Sequence, residues 1–219
     1  MAVRDFMTQK VVYVSPETTV AHAADVMREQ GLRRLPVIEN DKLVGIVTAG
    51  TMAENSPSKA TSLSIYEMNY LLNKTKIRDI MIKDVVTVSP FASVEDAIYL
   101  MMTHKVGVLP VEENGVVSGI ITDKDVFRTF LEVSGYGEEG VRVRILADDS
   151  VGVLEKIVST IAKEGLNIRR TVIAGAKHGQ VVNEIQIDGK VDIADLKAKL
   201  EAAGLTVDDI QETHAKALF

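Results

Sequence analysis

Apolar residues recur at i, i+3, i+4 and i+7 in two separate stretches: Val20, Ala23, Ala24 and Met27, then Val94, Ala97, Ile98 and Met101. Each stretch predicts a helix with one buried face, and Thr19 and Ser93 stand where an N-cap is wanted. Before each helix lies a β-branched segment, Val11-Val12-Tyr13-Val14 or Val85-Val86-Thr87-Val88, that stops at Ser-Pro and is expected to be a strand. After each helix two strands are expected, Arg34 to Ile38 with Leu43 to Thr48, and Val108 to Glu112 with Val116 to Thr122. Their connections, Glu39-Asn40-Asp41 and Glu113-Asn114-Gly115, carry the residues that tight hairpin turns prefer. A closing helix follows each hairpin. In the first case it comes after the polar stretch Ala53 to Ser64 and carries Ile65, Met68, Leu71 and Leu72.

The two series are one sequence written twice. Residues 3–52 and 77–126 align without a gap at a spacing of 74, with pairs such as Asp5/Asp79, Met7/Met81, Pro36/Pro110, Gly45/Gly119 and Thr48/Thr122. Each copy, at about 50 residues, is too small to bury a good core alone. The copies are therefore expected to pack together as a pseudo-twofold pair with two quasi-equivalent clefts between them.

Beyond three glycines, Gly135, Gly137 and Gly140, the pattern changes. Val141, Val143 and Ile145 alternate as in a strand, and Leu154, Ile157, Val158 and Ile161 mark a helix over 151–163. Strands at 168–173 and 181–187, a helix with Ile193, Leu196 and Leu200, and a short strand near Val207 complete the order β-α-β-β-α-β. That order predicts a ferredoxin-like plan. The expected organisation is a first repeat with its closing helix (1–73), a second repeat (74–134), a linker (135–140), a ferredoxin-like domain (141–212) and a tail (213–219), an α/β (α+β) chain overall.

Composition narrows the function. A net charge of −6 argues against broad binding to nucleic acid, and no apolar run approaches membrane-spanning length. The beginning of the chain lacks an apolar stretch of signal-peptide type, and there is no cysteine for disulfides or thiolate metal sites. A cytoplasmic location is expected, with no membrane and no metal. His22, His104, His178 and His214 are scattered without metal-ligand spacing, and there is no nucleophile elbow or phosphate loop with a lysine. No catalytic residues are assigned, and the chain is expected not to be an enzyme.

The Val-x-Val-Ser-Pro opening, the Leu-Pro-Val of the middle strand and the terminal Gly-Ile-x-Thr, each present twice over residues 3–134, resemble a tandem pair of cystathionine-β-synthase (CBS) domains. The resemblance implies a module that binds AMP, ADP, ATP or S-adenosylmethionine as a regulatory ligand, requires no cofactor, and reports to a partner protein. The family's ribose-phosphate signature is whole in the second copy, Gly119-Ile120-Ile121-Thr122-Asp123-Lys124-Asp125. Thr122 stands where a strand runs into a helix and so can face an anion. Asp125 can accept hydrogen bonds from a ribose diol, and Lys124 adds charge near phosphate. Alternatively Thr122 caps the helix and Asp125 favours its positive end. By the family's pattern the base would lie near Val86, Thr87, Val108 and Pro110. In the first copy Thr48 is retained but Thr51 replaces the carboxylate, so the second-copy site is expected to be the stronger. Arg33 and Arg34, which have Gly107 and Val108 as counterparts, are expected at phosphate or, failing that, at a solvated strand edge.

Asp148-Asp149-Ser150-Val151-Gly152-Val153-Leu154 and Gly165-Leu166-Asn167-Ile168 make residues 140–212 similar to ACT domains, which bind amino acids for allosteric control. An effector site would use Asp149, Gly152 and Asn167. Ala147 and Asp149 stand where the serine-binding form has histidine and asparagine, which favours an assembly role for this unit. A CBS pair followed by an ACT domain is similar to the bacterial acetoin-utilisation accessory proteins. At least a homodimer is expected, with a scaffold carrying vestigial clefts as the alternative to a nucleotide sensor.

Overall fold

The computed structural model describes residues 1–55, 64–175 and 179–217. His178 and most of the polar stretch before the first closing helix (56–63) lie outside them, as do the side chains of Ile65 and Met68. The described chain forms two compact units, Met1–Phe127 and Arg128–Phe219.

The first unit opens with a 3-10 turn, Val3–Asp5, then α1 (Val20–Gln30), the hairpin β1 (Arg34–Glu39) and β2 (Lys42–Thr48), α2 (Ala49–Glu54) and α3 (Ile65–Lys74). The second copy repeats this as α4 (Ile77–Ile80), α5 (Val94–His104), β3 (Val108–Glu113), β4 (Val116–Thr122) and α6 (Asp123–Ser134). Local chemistry explains these boundaries. Thr19 accepts from the His22 amide and Ser93 from the Asp96 amide, while the Asp96 carboxylate reaches back to Ser93. Asn40 and Asp41, and Asn114 and Gly115, hold the positive φ that a two-residue hairpin turn requires. Both hairpins join one antiparallel sheet in the order β1-β2-β4-β3. Its central contact pairs Lys42 with Val116, which are equivalent positions of the two copies. A pseudo-twofold axis therefore passes between them.

The expected strands at 11–14 and 85–88 are not strands. Each makes a single parallel bridge at its end, Val14 to Val37 and Val88 to Val111. The reason lies upstream, where each copy begins inside the other. Val3 and Arg4 donate to the carbonyls of Ala92 and Pro90, and Ile77 and Arg78 donate to those of Thr18 and Pro16. Fully buried Val3 packs in the second copy's core, and fully buried Ile77 in the first copy's. Thr8 then bridges Ile120 and Ile82 bridges Ile46 before each segment returns to its own copy. A segment that crosses between copies cannot form a ladder with either.

The second unit contains β5 (Gly140–Asp148), α7 (Val153–Lys163), β6 (Ile168–Gly175), β7 (Gln180–Asp188), α8 (Ile193–Ala202) and β8 (Thr206–Thr213), in a fully antiparallel sheet ordered β6-β7-β5-β8. This is the split β-α-β plan. Val141, Val143, Ile145, Ile157, Ile161, Ile185, Ile187, Leu196 and Leu200 fill its core. The apolar stripe of α7 is divided: Ile157 and Ile161 are fully buried, whereas Leu154 and Val158 remain about two-fifths exposed. The last strand, at eight residues, is longer than the short one expected near Val207.

Candidate functional site

A cleft of about 540 Å³ opens where the first copy's β2 end meets the second copy's crossing segment. Its size is that of an ordinary small-ligand pocket. Ile46, Thr48, Ala49 and Gly50 come from β2 and the start of α2, and Ile82, Asp84, Val85 and Val86 from the crossing segment. Arg33 and Arg34 before β1, and Lys105 to Val108 before β3, complete the lining. The site thus exists because of the crossing: Ile82 is held on Ile46 by a pair of 2.9 Å backbone hydrogen bonds. The apolar lining can take a flat ring, and the polar lining is three cations against one carboxylate, Asp84.

This arrangement divides the residues singled out in the sequence. Val86, Val108, Arg33, Arg34 and Thr48 line the cleft together; Thr87, Pro110, Thr51, Thr122, Lys124 and Asp125 do not. Thr122 and Asp125 lie outside the lining that includes Val86, and the Thr8–Ile120 bridge brings the first copy's segment to β4, the strand that ends at Thr122. By the correspondence of the copies, the matching apolar wall is Val11 and Val12. Asp125 also has local work, since one carboxylate oxygen accepts from the Thr122 amide at 2.8 Å and its hydroxyl at 2.7 Å. In the first copy the matching contact is between the Thr48 and Thr51 hydroxyls at 2.9 Å. Arg34 reaches across the copies to the Gly107 carbonyl at 3.4 Å.

The signature glycines serve packing. A Cβ on Gly45 would lie 2.7 Å from the Met81 sulfur, and one on Gly119 would collide with Met7. Their backbones leave room for the crossing segment of the other copy. Sequence reasoning missed Asp84 and Lys105 at the cleft. A signal for Lys105 existed: its counterpart is Gly31, and both hold the left-handed conformation, φ 54° and 65°.

In the second unit Asp149, Gly152 and Asn167 are all exposed and do not converge. Gly152 precedes α7 and Asn167 follows it, so they lie beyond opposite ends of an 11-residue helix about 16 Å long. Asn167 uses its carbonyl to accept from the Asp188 amide. Among the described residues no cluster of three or more His, Cys, Asp or Glu is placed to hold a metal, and no helix is long and apolar enough to cross a membrane.

A family model for the CBS domain matches residues 3–56 and 77–132. The chain belongs to the CBS-domain family. Its CBS pair is similar to the crystal structure of CBSX2 in complex with AMP, at 28% identity and a TM-score of 0.52 over 60% of this chain and 97% of that one. It is also similar to a Vibrio cholerae structure described as an acetoin utilization protein, AcuB, at 30% identity and a TM-score of 0.51 over 62% of this chain and 96% of that one. An inosine-5'-monophosphate dehydrogenase of Korarchaeum cryptofilum is 38% identical over 125 residues, 56% of this chain and 23% of that enzyme. The chain spans between 23% and 52% of the length of the first relatives that it matches.

Proposed function

We propose that this chain is a non-catalytic regulatory protein that binds an adenine nucleotide or related adenosyl ligand in the Thr48 cleft and signals its presence to a partner. The carrying observation is that one cleft draws both its apolar lining and its cations from the two copies together. A ligand there touches both halves of the pair, so its binding energy depends on how they are set. The similarity to the AMP complex of CBSX2 supports the choice of adenine. The likeness to AcuB supports a place among acetoin-utilisation accessory proteins. The enzymes among the relatives are matched over too little of their length to lend their chemistry.

The second unit is proposed to be an ACT-like domain, over about 141–212, whose role is assembly. The separation of Asp149 and Gly152 from Asn167 argues against a shared effector pocket. Exposed Leu154, Val158 and Ile173 offer an apolar surface to a second copy of the chain.

The test is calorimetric titration of AMP, ADP, ATP and S-adenosylmethionine into the full chain and into Gly50→Phe. Gly50 lines the cleft, and a Cβ there meets only the Thr48 hydroxyl, at 3.6 Å, so a side chain can start from this position without a forced clash. Binding by the wild type and its loss in Gly50→Phe are expected. Absence of binding for all four ligands at millimolar concentration would favour the scaffold role, and undiminished binding by Gly50→Phe would place the ligand elsewhere.

A further inference from the structure

We infer that the Thr48 cleft selects its ligand by the phosphate chain, with Lys105, Arg33 and Arg34 as the specificity-determining residues, so that nucleoside di- and triphosphates bind ahead of monophosphates and of adenosyl cations. The inference rests on the adenosyl-ligand reading and names the ligand class.

Three observations converge. The signature that ends at this cleft has Thr51 in place of the ribose carboxylate, and Thr51 is occupied with Thr48. Recognition by charge-assisted bonds to the diol is therefore lost here. The cleft instead presents three cations against Asp84, with the Asp123 carboxylate near Arg34 at Gly107. Neither the Arg33 nor the Lys105 side chain is engaged in an ion pair or hydrogen bond among the described residues, and the Arg34 side chain has only a 3.4 Å bond to a carbonyl. Finally, Lys105 holds a left-handed backbone, φ 54°, where the first copy has Gly31 at φ 65°. Glycine takes that conformation without strain, and lysine does not. The second copy thus keeps a strained residue at a position that lines the cleft. Service to the helix dipole does not require it, because His104 already lies in the last turn of α5. Three cations repel the sulfonium of S-adenosylmethionine and attract each added phosphate, since like charges disfavour and opposite charges favour one another at these distances.

Calorimetry on the full chain in magnesium-free buffer compares adenosine, AMP, ADP, ATP, S-adenosylmethionine and inorganic tripolyphosphate, using wild type, Lys105→Gly, Lys105→Asn and Lys105→Arg. ATP is expected to bind about tenfold more tightly than AMP, adenosine and S-adenosylmethionine more weakly than AMP, and the ATP advantage to shrink as salt is raised. Lys105→Gly should retain or raise the melting temperature while losing about five- to tenfold in ATP affinity and little for adenosine. Lys105→Asn, which also accepts the left-handed conformation, should behave likewise, and Lys105→Arg should restore ATP binding. Equal affinities from adenosine to ATP, or an equal loss for every ligand in Lys105→Gly, would overturn phosphate selection while leaving the adenosyl reading intact. Tripolyphosphate binding that depends on Lys105, without binding of any adenosyl ligand, would overturn the adenosyl reading alone.

Discussion

Asp125 already accepts hydrogen bonds from the Thr122 amide and hydroxyl, so its first contribution is to the start of α6. Asp125→Ala removes half of a reciprocal cap, which is typically worth about 1 kcal/mol. Urea denaturation should show that loss, and AMP affinity at the Thr48 cleft should change less than about twofold. Thr51→Ala should alter stability by less, because Thr51 gives up only a neutral hydroxyl contact. A large affinity loss in Asp125→Ala at unchanged stability would instead return to this carboxylate the ribose role suggested by the family signature. Gly107 marks the other point of contact between copies. A Cβ there would approach Asp123 to 2.7 Å and Arg34 to 3.0 Å, so only a residue without a side chain leaves both in place.

Among the elements, the crossing segments depend on two glycines. Gly119→Ala drives a methyl group into Met7 and is expected to cost about 1–3 kcal/mol. Met7→Ala in the same chain should recover part of that cost, and a double-mutant cycle reads the coupling. Additive losses would mean that the glycine is not making room for the methionine. The α5 cap has a pH signature. The Ser93 hydroxyl, and then its amide, lower the Asp96 carboxyl below its ordinary 3.8. A carboxyl lowered in the folded state stabilises above its unfolded value, and the gain is lost as pH falls through the folded value. The difference in melting temperature between wild type and Ser93→Ala should therefore be largest near neutral pH and shrink in strong acid. A difference independent of pH would dissociate Asp96 from the cap. These caps and the hairpin turns were legible because each depends on residues three or four apart. The crossing was not, because a gap-free repeat offers Met7 and Met81 equally to either copy, and only the packing of Val3 and Ile77 decides between them. That ambiguity joined Val86 to Thr122 in the sequence reading, when the cleft joins Val86 to Thr48.

At the scale of the whole molecule, the second unit leaves β6 as a sheet edge, with Leu154, Val158 and Ile173 exposed. Unpaired edges beside apolar surface invite association. Light scattering at micromolar concentration should give at least a dimer, and Leu154→Glu with Val158→Glu should shift it toward the monomer; a monomeric wild type would remove the proposed role of this unit. Where a ligand sits in the CBS pair is read from backbone amide shifts of the labelled full chain during titration with AMP. The largest changes are expected together at Arg33–Arg34, Thr48–Gly50, Asp84–Val86 and Lys105–Val108, four segments drawn from both copies. Changes confined to Thr122–Asp125 and Val11–Val12, or no changes at saturating AMP, would contradict binding in the Thr48 cleft.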